Sequence, residues 1–412
     1  MQLDLFVHPV RHLAWGPATR LEGDTLVVAR AALLAEVAAG LPFAALDAAL
    51  AAPGESCRLL PVFDVVEPRA RVGGGDFPGV LSPIASVGSG ETHVLRGAAV
   101  VMLDPVAEPS GRYGVIDMSG PAADYSPYAH THNLALLPQF PPGLERPAQQ
   151  RALRVASLRA AVHLARAALA HPPAVHERYA LTPVPPELPR VAYVYQLHSQ
   201  QHPTQPGEPI LYGDNVRHLL PTWLHPNEIL DGAVLRGYRP MAMETYGIQN
   251  HAVVRELYRR HGTELAFVGV VATVAHHTQE ERERAAVLAA NLVTHGLRAA
   301  GAVLSKAGGG APHVDMAQVA HLLEQRGVRT TLLAWELSVG DAEGSALFNY
   351  PTLDAIVNYG SAEFRFALPP VERLLTPTPA LAALAGAYQV DALNLCGAMD
   401  QLGGGVLTAV TY

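Results

Sequence analysis

Lysine is almost absent from this chain: of its 29 basic residues, Lys306 is the single lysine and the rest are arginine. Cysteine is nearly as scarce, with Cys57 and Cys396 alone and far apart. Two distant thiols exclude a disulfide scaffold and any zinc module built on close cysteine pairs. Charged residues make up 16% and aromatics 6%. A net charge of −8 with no basic block gives no footprint for nucleic acid. Long hydrophobic runs are also missing. The most apolar stretch, Leu33 to Ala52, is interrupted by Glu36, Pro42 and Asp47, so no membrane span is expected. The opening MQLDLFVHP has neither the basic nor the apolar region of a secretory signal. The chain is therefore expected to be soluble and cytoplasmic. GxSxG, HExxH and CxxC do not occur, nor does a nicotinamide or flavin fingerprint. No cofactor is expected.

What is present is a large apolar inventory. Hydrophobic residues make up 49% of 412 positions, which predicts a sizeable core and two or three domains. Residues 1 to about 145 read as mostly strand: Thr25 to Ala29, Cys57 to Val66, Val94 to Leu103, Gly114 to Met118 and Asn133 to Leu137 lie between Gly, Pro and Asp turns. A helix is expected from about Pro147 to His171, then a proline-rich linker from Pro172 to Pro189. Beyond the linker, strands alternate with helices. Strands are expected at 191–197, 267–273, 302–305 and 329–335, and helices at 227–236, 253–261, 278–295 and 315–326. Such alternation requires crossover connections and hence a parallel sheet. The expectation is an α/β protein: a β-rich N-terminal domain over 1–175, closed by a helix, and a Rossmann-like parallel-sheet domain over 190–412.

Lys306 ends a strand and is followed by Gly308-Gly309-Gly310 and a helix, where open α/β sheets bind ligands. Lysine deprotonates and forms Schiff bases, which arginine does not. The alternative is a solvated lysine at a strand end. His130-Thr131-His132, with His276, His277, His198 or His202, offers imidazoles for a metal, but HxH is equally common on surfaces and in satisfied cores. No metal is expected. Cys57 and Cys396 sit in apolar surroundings and read as buried, inert thiols. A denser cluster is PVFDVVEPRARVGGGDFPG, where Asp64, Glu67, Arg69, Arg71 and Asp76 flank a glycine turn. It is either an internal ion-pair network or part of a site.

These residues, with PGESCRLLPVFDVVEPR, GGGDFPG, VGSGETHVLRGAAVV and GVIDMSGPAADYSPY, resemble the alpha/beta precursor subunit of component B of the glycine/sarcosine/betaine reductase complex. RVAYVYQL, PTWLHPNEILDGAV, ELYRRHG and LPPVERLL extend the likeness over essentially the whole chain. The resemblance implies a precursor that splits at an internal cysteine to form a pyruvoyl group, which captures the substrate amine as a Schiff base. It also implies a cysteine- or selenocysteine-bearing partner subunit in a hetero-oligomer. Here the matching segment is DGAVLRGYRPMAMETY, Asp231 to Tyr246, with Arg239 where the pyruvoyl precursor is expected and no cysteine nearby. Two readings follow. In the first, the chain binds a small carboxylate or amine substrate that needs no Schiff base, such as a betaine. Arg239, or Arg236, then holds its carboxylate, Glu244 and Tyr246 line the pocket, Lys306 and Glu244 are the candidate catalytic groups, and Asp64, Glu67, Arg69, His93 and Asp117 contribute to binding. In the second, it is a non-catalytic scaffold of such a complex.

Overall fold

The computed structural model describes residues 1–106, 114–199, 208–237, 243–306, 308, 310–336, 353, 355–362, 364–405 and 410–411. The class is mixed α/β, as expected. Two four-stranded mixed sheets dominate the first part. In one, Gln2–Pro9 runs antiparallel to Val175–Ala180 and parallel to Gly90–Arg96, which pairs with Arg69–Arg71. In the other, Ala45–Ala51, His132–Gln139, Ala98–Leu103 and Val62–Val66 lie side by side, covered by the long helix Arg146–Arg166.

The second part is a seven-stranded sheet. Its five parallel strands are β1 (Arg190–Ser199), β2 (Ala266–Ala275), β3 (Gly301–Ser305), β4 (Arg329–Glu336) and β5 (Ala355–Ser361). They stand in the order β2-β1-β3-β4-β5, with Thr222–Leu224 and Val410–Thr411 added antiparallel at the two edges. This is the doubly wound order whose switch point, between β1 and β3, is where such sheets bind ligands. The near-continuous apolar run of β2, AFVGVVATVA, suits a strand covered on both faces.

Alternation along β1 decides what covers each face. Ala192 and Val194 point to helices Gln279–Asn291 and Ala311–Glu324, packing among Ala286, Ala290, Met316 and Leu323. Tyr193, Tyr195 and Leu197 point the other way, into a cluster with Leu3, Leu5, Val7 and Val94 of the first N-terminal sheet. Residues from both sides of the Pro172–Pro189 stretch thus share one core. The chain also returns late to its beginning, since Arg373–Leu375 pairs in parallel with Cys57–Leu59.

Several local expectations are corrected. Pro172–Pro189 is no plain linker: it contains the strand Val175–Ala180, whose polar His176 and Arg178 bind Asp4 at 2.7 and 2.9 Å and hide the strand's alternation. The expected strand Val94–Leu103 is two strands split at Gly97, where φ is +94° and a Cβ would lie 2.5 Å from the Val10 carbonyl oxygen. The helix expected over 227–236 is only Pro226–Leu230, closed by Gly232 at φ +90°. No helix among the described residues is long and apolar enough to cross a membrane.

Candidate functional site

Asp64 and Glu67 come from the dense acidic and basic stretch, and both carboxylates are fully buried. Asp64 lies on Val62–Val66 and pairs with Arg154 of the long helix. Its oxygens also accept the Thr245 N–H at 2.9 Å and the Thr245 hydroxyl at 2.6 Å. Arg154 in turn donates to Glu208 at 2.8 Å and to the Arg236 carbonyl at 2.9 Å. Glu67 accepts from Arg69 at 2.9 Å, Arg96 at 2.8 Å and Asn250 at 3.0 Å. Burial opposes the Glu67 charge, but Arg69 and Arg96 outweigh it and hold the carboxyl below its ordinary range. Arg69 reaches onward to the carbonyls of Leu230 and Gln249. From Asp64, Arg154, Glu67 and Arg69, contacts run to Leu230 and Arg236 on one side and to Thr245, Gln249 and Asn250 on the other. The cluster is an ion-pair clamp that fixes both flanks of residues 238–242.

Arg239 lies in 238–242, outside the described residues. Arg236, on the near flank, is 1% exposed; its guanidinium donates to the Phe63 carbonyl, its Nε has no hydrogen-bond partner, and no carboxylate lies within ion-pair distance among the described residues. Glu244, on the far flank, is buried and accepts from the Tyr128 hydroxyl at 3.2 Å. Tyr246 sets its ring edge-on to Tyr128 at 5.6 Å. Burial, with Glu67 adding to it, raises the Tyr246 phenol above its usual range.

Lys306 is not solvated. It is 1% exposed at the carboxyl end of β3, and its Nζ donates to the Gly308 carbonyl at 2.6 Å. The amine sits 4.6 Å from the Trp335 ring centre and 6.0 Å from that of Tyr359. Burial pushes it well below the ordinary lysine range. His313, stacked on Trp335, is pushed down to about 2 by burial and by Lys306. Beside Lys306, the Tyr193 hydroxyl bonds Ser305 Oγ and meets His251 Nε2 at 3.1 Å. Burial raises the Asp400 carboxyl to about 6 and Glu244 adds to the rise, while Asp400 adds to the upward shifts of Tyr193, Tyr195, Tyr359 and Tyr128. The Gly308 N–H, two residues past Lys306, donates to Gln401 Oε1 at 3.3 Å, next to Asp400 in sequence.

Two other sequence candidates lie elsewhere. His93 is next to Thr92, whose hydroxyl reaches Asp231 at 2.8 Å; strand alternation turns His93 to the opposite face, where it meets His8 at 2.9 Å. Asp117 takes a two-pronged contact from Arg58 at 2.6 and 3.0 Å, and Arg58 also donates to the carbonyls of Pro369 and Gly386. That pair ties the N-terminal strands to the late segment. Cys57 and Cys396 are buried in one apolar cluster, and burial pushes the Cys57 thiol up to about 12. Among the described residues, no group of three or more His, Cys, Asp or Glu could hold a metal ion; the side chain of His198 and all of His202 lie outside them. Sequence reading missed Arg154, Tyr193, His251 and Asp400. None of them lies in a catalytic motif, and their partners are distant in sequence: Arg154 meets Asp64 and Glu208, and Tyr193 meets His251.

The family model described as glycine/sarcosine/betaine reductase component B subunits matches residues 1–401. The chain is 32% identical to glycine reductase complex component B subunits alpha and beta of Acetoanaerobium sticklandii, covering 98% of each chain. It is 30% identical to sarcosine reductase complex component B subunit alpha of Peptoclostridium acidaminophilum, over 97% of this chain and 95% of that one. Its identity to betaine reductase complex component B subunit alpha of the same organism is also 30%, over 95% and 92%. No solved structure matches.

Proposed function

The chain belongs to the glycine/sarcosine/betaine reductase component B family, and from that premise we propose that it is the substrate-binding subunit of a reductase complex that works without a pyruvoyl group. One observation carries the reading. The clamp of Asp64, Glu67, Arg69 and Arg154 secures both flanks of 238–242, while the segment it secures holds arginine at 239 and no cysteine. A thiol is needed there to attack the preceding carbonyl, and the two cysteines of the sequence, Cys57 and Cys396, lie outside that segment, buried in an apolar cluster.

Without an amine-capturing carbonyl, the substrate must bring its own leaving group. A quaternary ammonium already polarises its C–N bond and forms no imine. A cysteine- or selenocysteine-bearing partner supplies the nucleophile: the bond from sulfur or selenium to the α-carbon forms as the C–N bond breaks, and the amine leaves with the electron pair. Arg239 and Arg236 take the substrate carboxylate, a role suited to planar guanidinium groups. Glu244 and Tyr246 line the same pocket.

The test is reconstitution. The chain co-expressed with a thiol- or selenol-bearing subunit of such a complex should co-purify with it and cleave a betaine-type carboxylate, whereas neither subunit alone should. Cleavage by the isolated chain with dithiothreitol, or failure of the pair to associate, would overturn the reading.

A further inference from the structure

We propose that Lys306 is a covalent site for a small carbonyl compound, an aldehyde or a 2-oxo acid, which its amine binds as an imine. The position combines four features. Lys306 directly follows β3 at the switch point of the sheet. It is 1% exposed. Among the described residues its amine meets no carboxylate and donates only to the Gly308 carbonyl. Trp335 and Tyr359 present ring faces to it instead.

If a cation over an aromatic face were all that is required, arginine would serve, since it stacks better and keeps its charge when buried. This chain uses arginine at every other basic position. What lysine adds is an amine that loses its proton in an apolar setting and then attacks electrophiles. His313 is held neutral beside it, so no second cation crowds the site.

The polarity also matters. A pyruvoyl carbonyl captures amines, whereas an amine captures carbonyls, so Lys306 selects the opposite ligand class. The step balances without a redox partner. The nitrogen lone pair adds to the carbonyl carbon, the amine proton passes to the oxygen, and the carbinolamine loses water to leave the imine. Hydrolysis returns both components. This inference stands independently of the reductase reading.

The intact chain offers only two primary amines, Lys306 and the Met1 terminus. Incubating folded protein at pH 7 with glyoxylate, pyruvate or propanal, then reducing with cyanoborohydride, should fix one adduct per chain on the Lys306 peptide. An ordinary lysine is only about one part in 2,500 neutral at this pH, so labelling should exceed that of the urea-unfolded chain roughly ten-fold or more. Lys306→Arg, with its circular dichroism compared with wild type, should retain only the Met1 adduct. The wild-type peptide map decides the matter even if that variant fails to fold. Adducts on Met1 alone with all three probes, or Lys306 labelling that appears only after unfolding, would overturn the proposal.

Discussion

Replacing Asp64 with asparagine keeps the side chain's shape and removes one charge from the centre of the clamp. Arg154, 1% exposed, then keeps its guanidinium in the interior with only Glu208 as counter-ion. Breaking a buried pair from one side costs about 3–5 kcal/mol, because the partner's charge is left uncompensated. The Thr245 N–H and hydroxyl lose a charged acceptor, each worth about 1.5–3 kcal/mol, although the amide oxygen of asparagine recovers part of that. A net loss of about 4 kcal/mol follows, a large share of the 5–15 kcal/mol available to a folded domain. Urea unfolding followed by tryptophan fluorescence measures it. Arg154→Met should cost at least as much, since it strands both Asp64 and Glu208. An Asp64→Asn variant within about 1 kcal/mol of wild type would refute the clamp as a structural device, and Asp64 would then have to face a ligand.

Three further outcomes are expected. The native protein at pH 7 should show no thiol reactive toward Ellman's reagent, because Cys57 and Cys396 are buried and the Cys57 thiol is pushed up to about 12; both should react in denaturant. Asp400 binds its proton more tightly in the folded state, so its contribution to stability is present below its unfolded value near 3.8 and is lost as pH rises through about 6. Thermal midpoints at pH 4.5 and 7 should therefore differ less in Asp400→Asn than in wild type, and an unchanged difference would count against the buried acid. His8 runs the other way: burial beside His93 lowers it to about 4, so the unfolded chain takes up the proton first and stability falls as pH drops from 6.5 through 4. A His8→Gln variant should flatten that acid limb.

The parallel sheet was legible because its strands carry apolar runs with helix-length spacing between them, and β2 and β3 fall where the pattern places them. Lys306 was legible for a different reason, since a lone lysine in an arginine-rich chain stands out by composition. The role of Asp64, Glu67 and Arg69 was not settled by their clustering. Their partners Arg154, Thr245 and Asn250 are distant in sequence, and only tertiary contact separates a clamp from a binding surface. Val175–Ala180 escaped notice because its polar face is matched by Asp4 across the sheet, not by any local pattern. Asp400 sits in a turn, held by the N–H groups of Leu402 and Gly404, and nothing in LCGAMDQL announces a carboxyl whose burial raises it to about 6.

Intact mass spectrometry of the purified mature chain tests the central claim most directly. A subunit that works without a pyruvoyl group stays whole: one species near 43.7 kDa, with a peptide containing unmodified Arg239 in its digest. Two fragments broken near residue 239, or a borohydride-reducible carbonyl on a new N-terminus, would contradict the account and restore amine capture by a protein carbonyl.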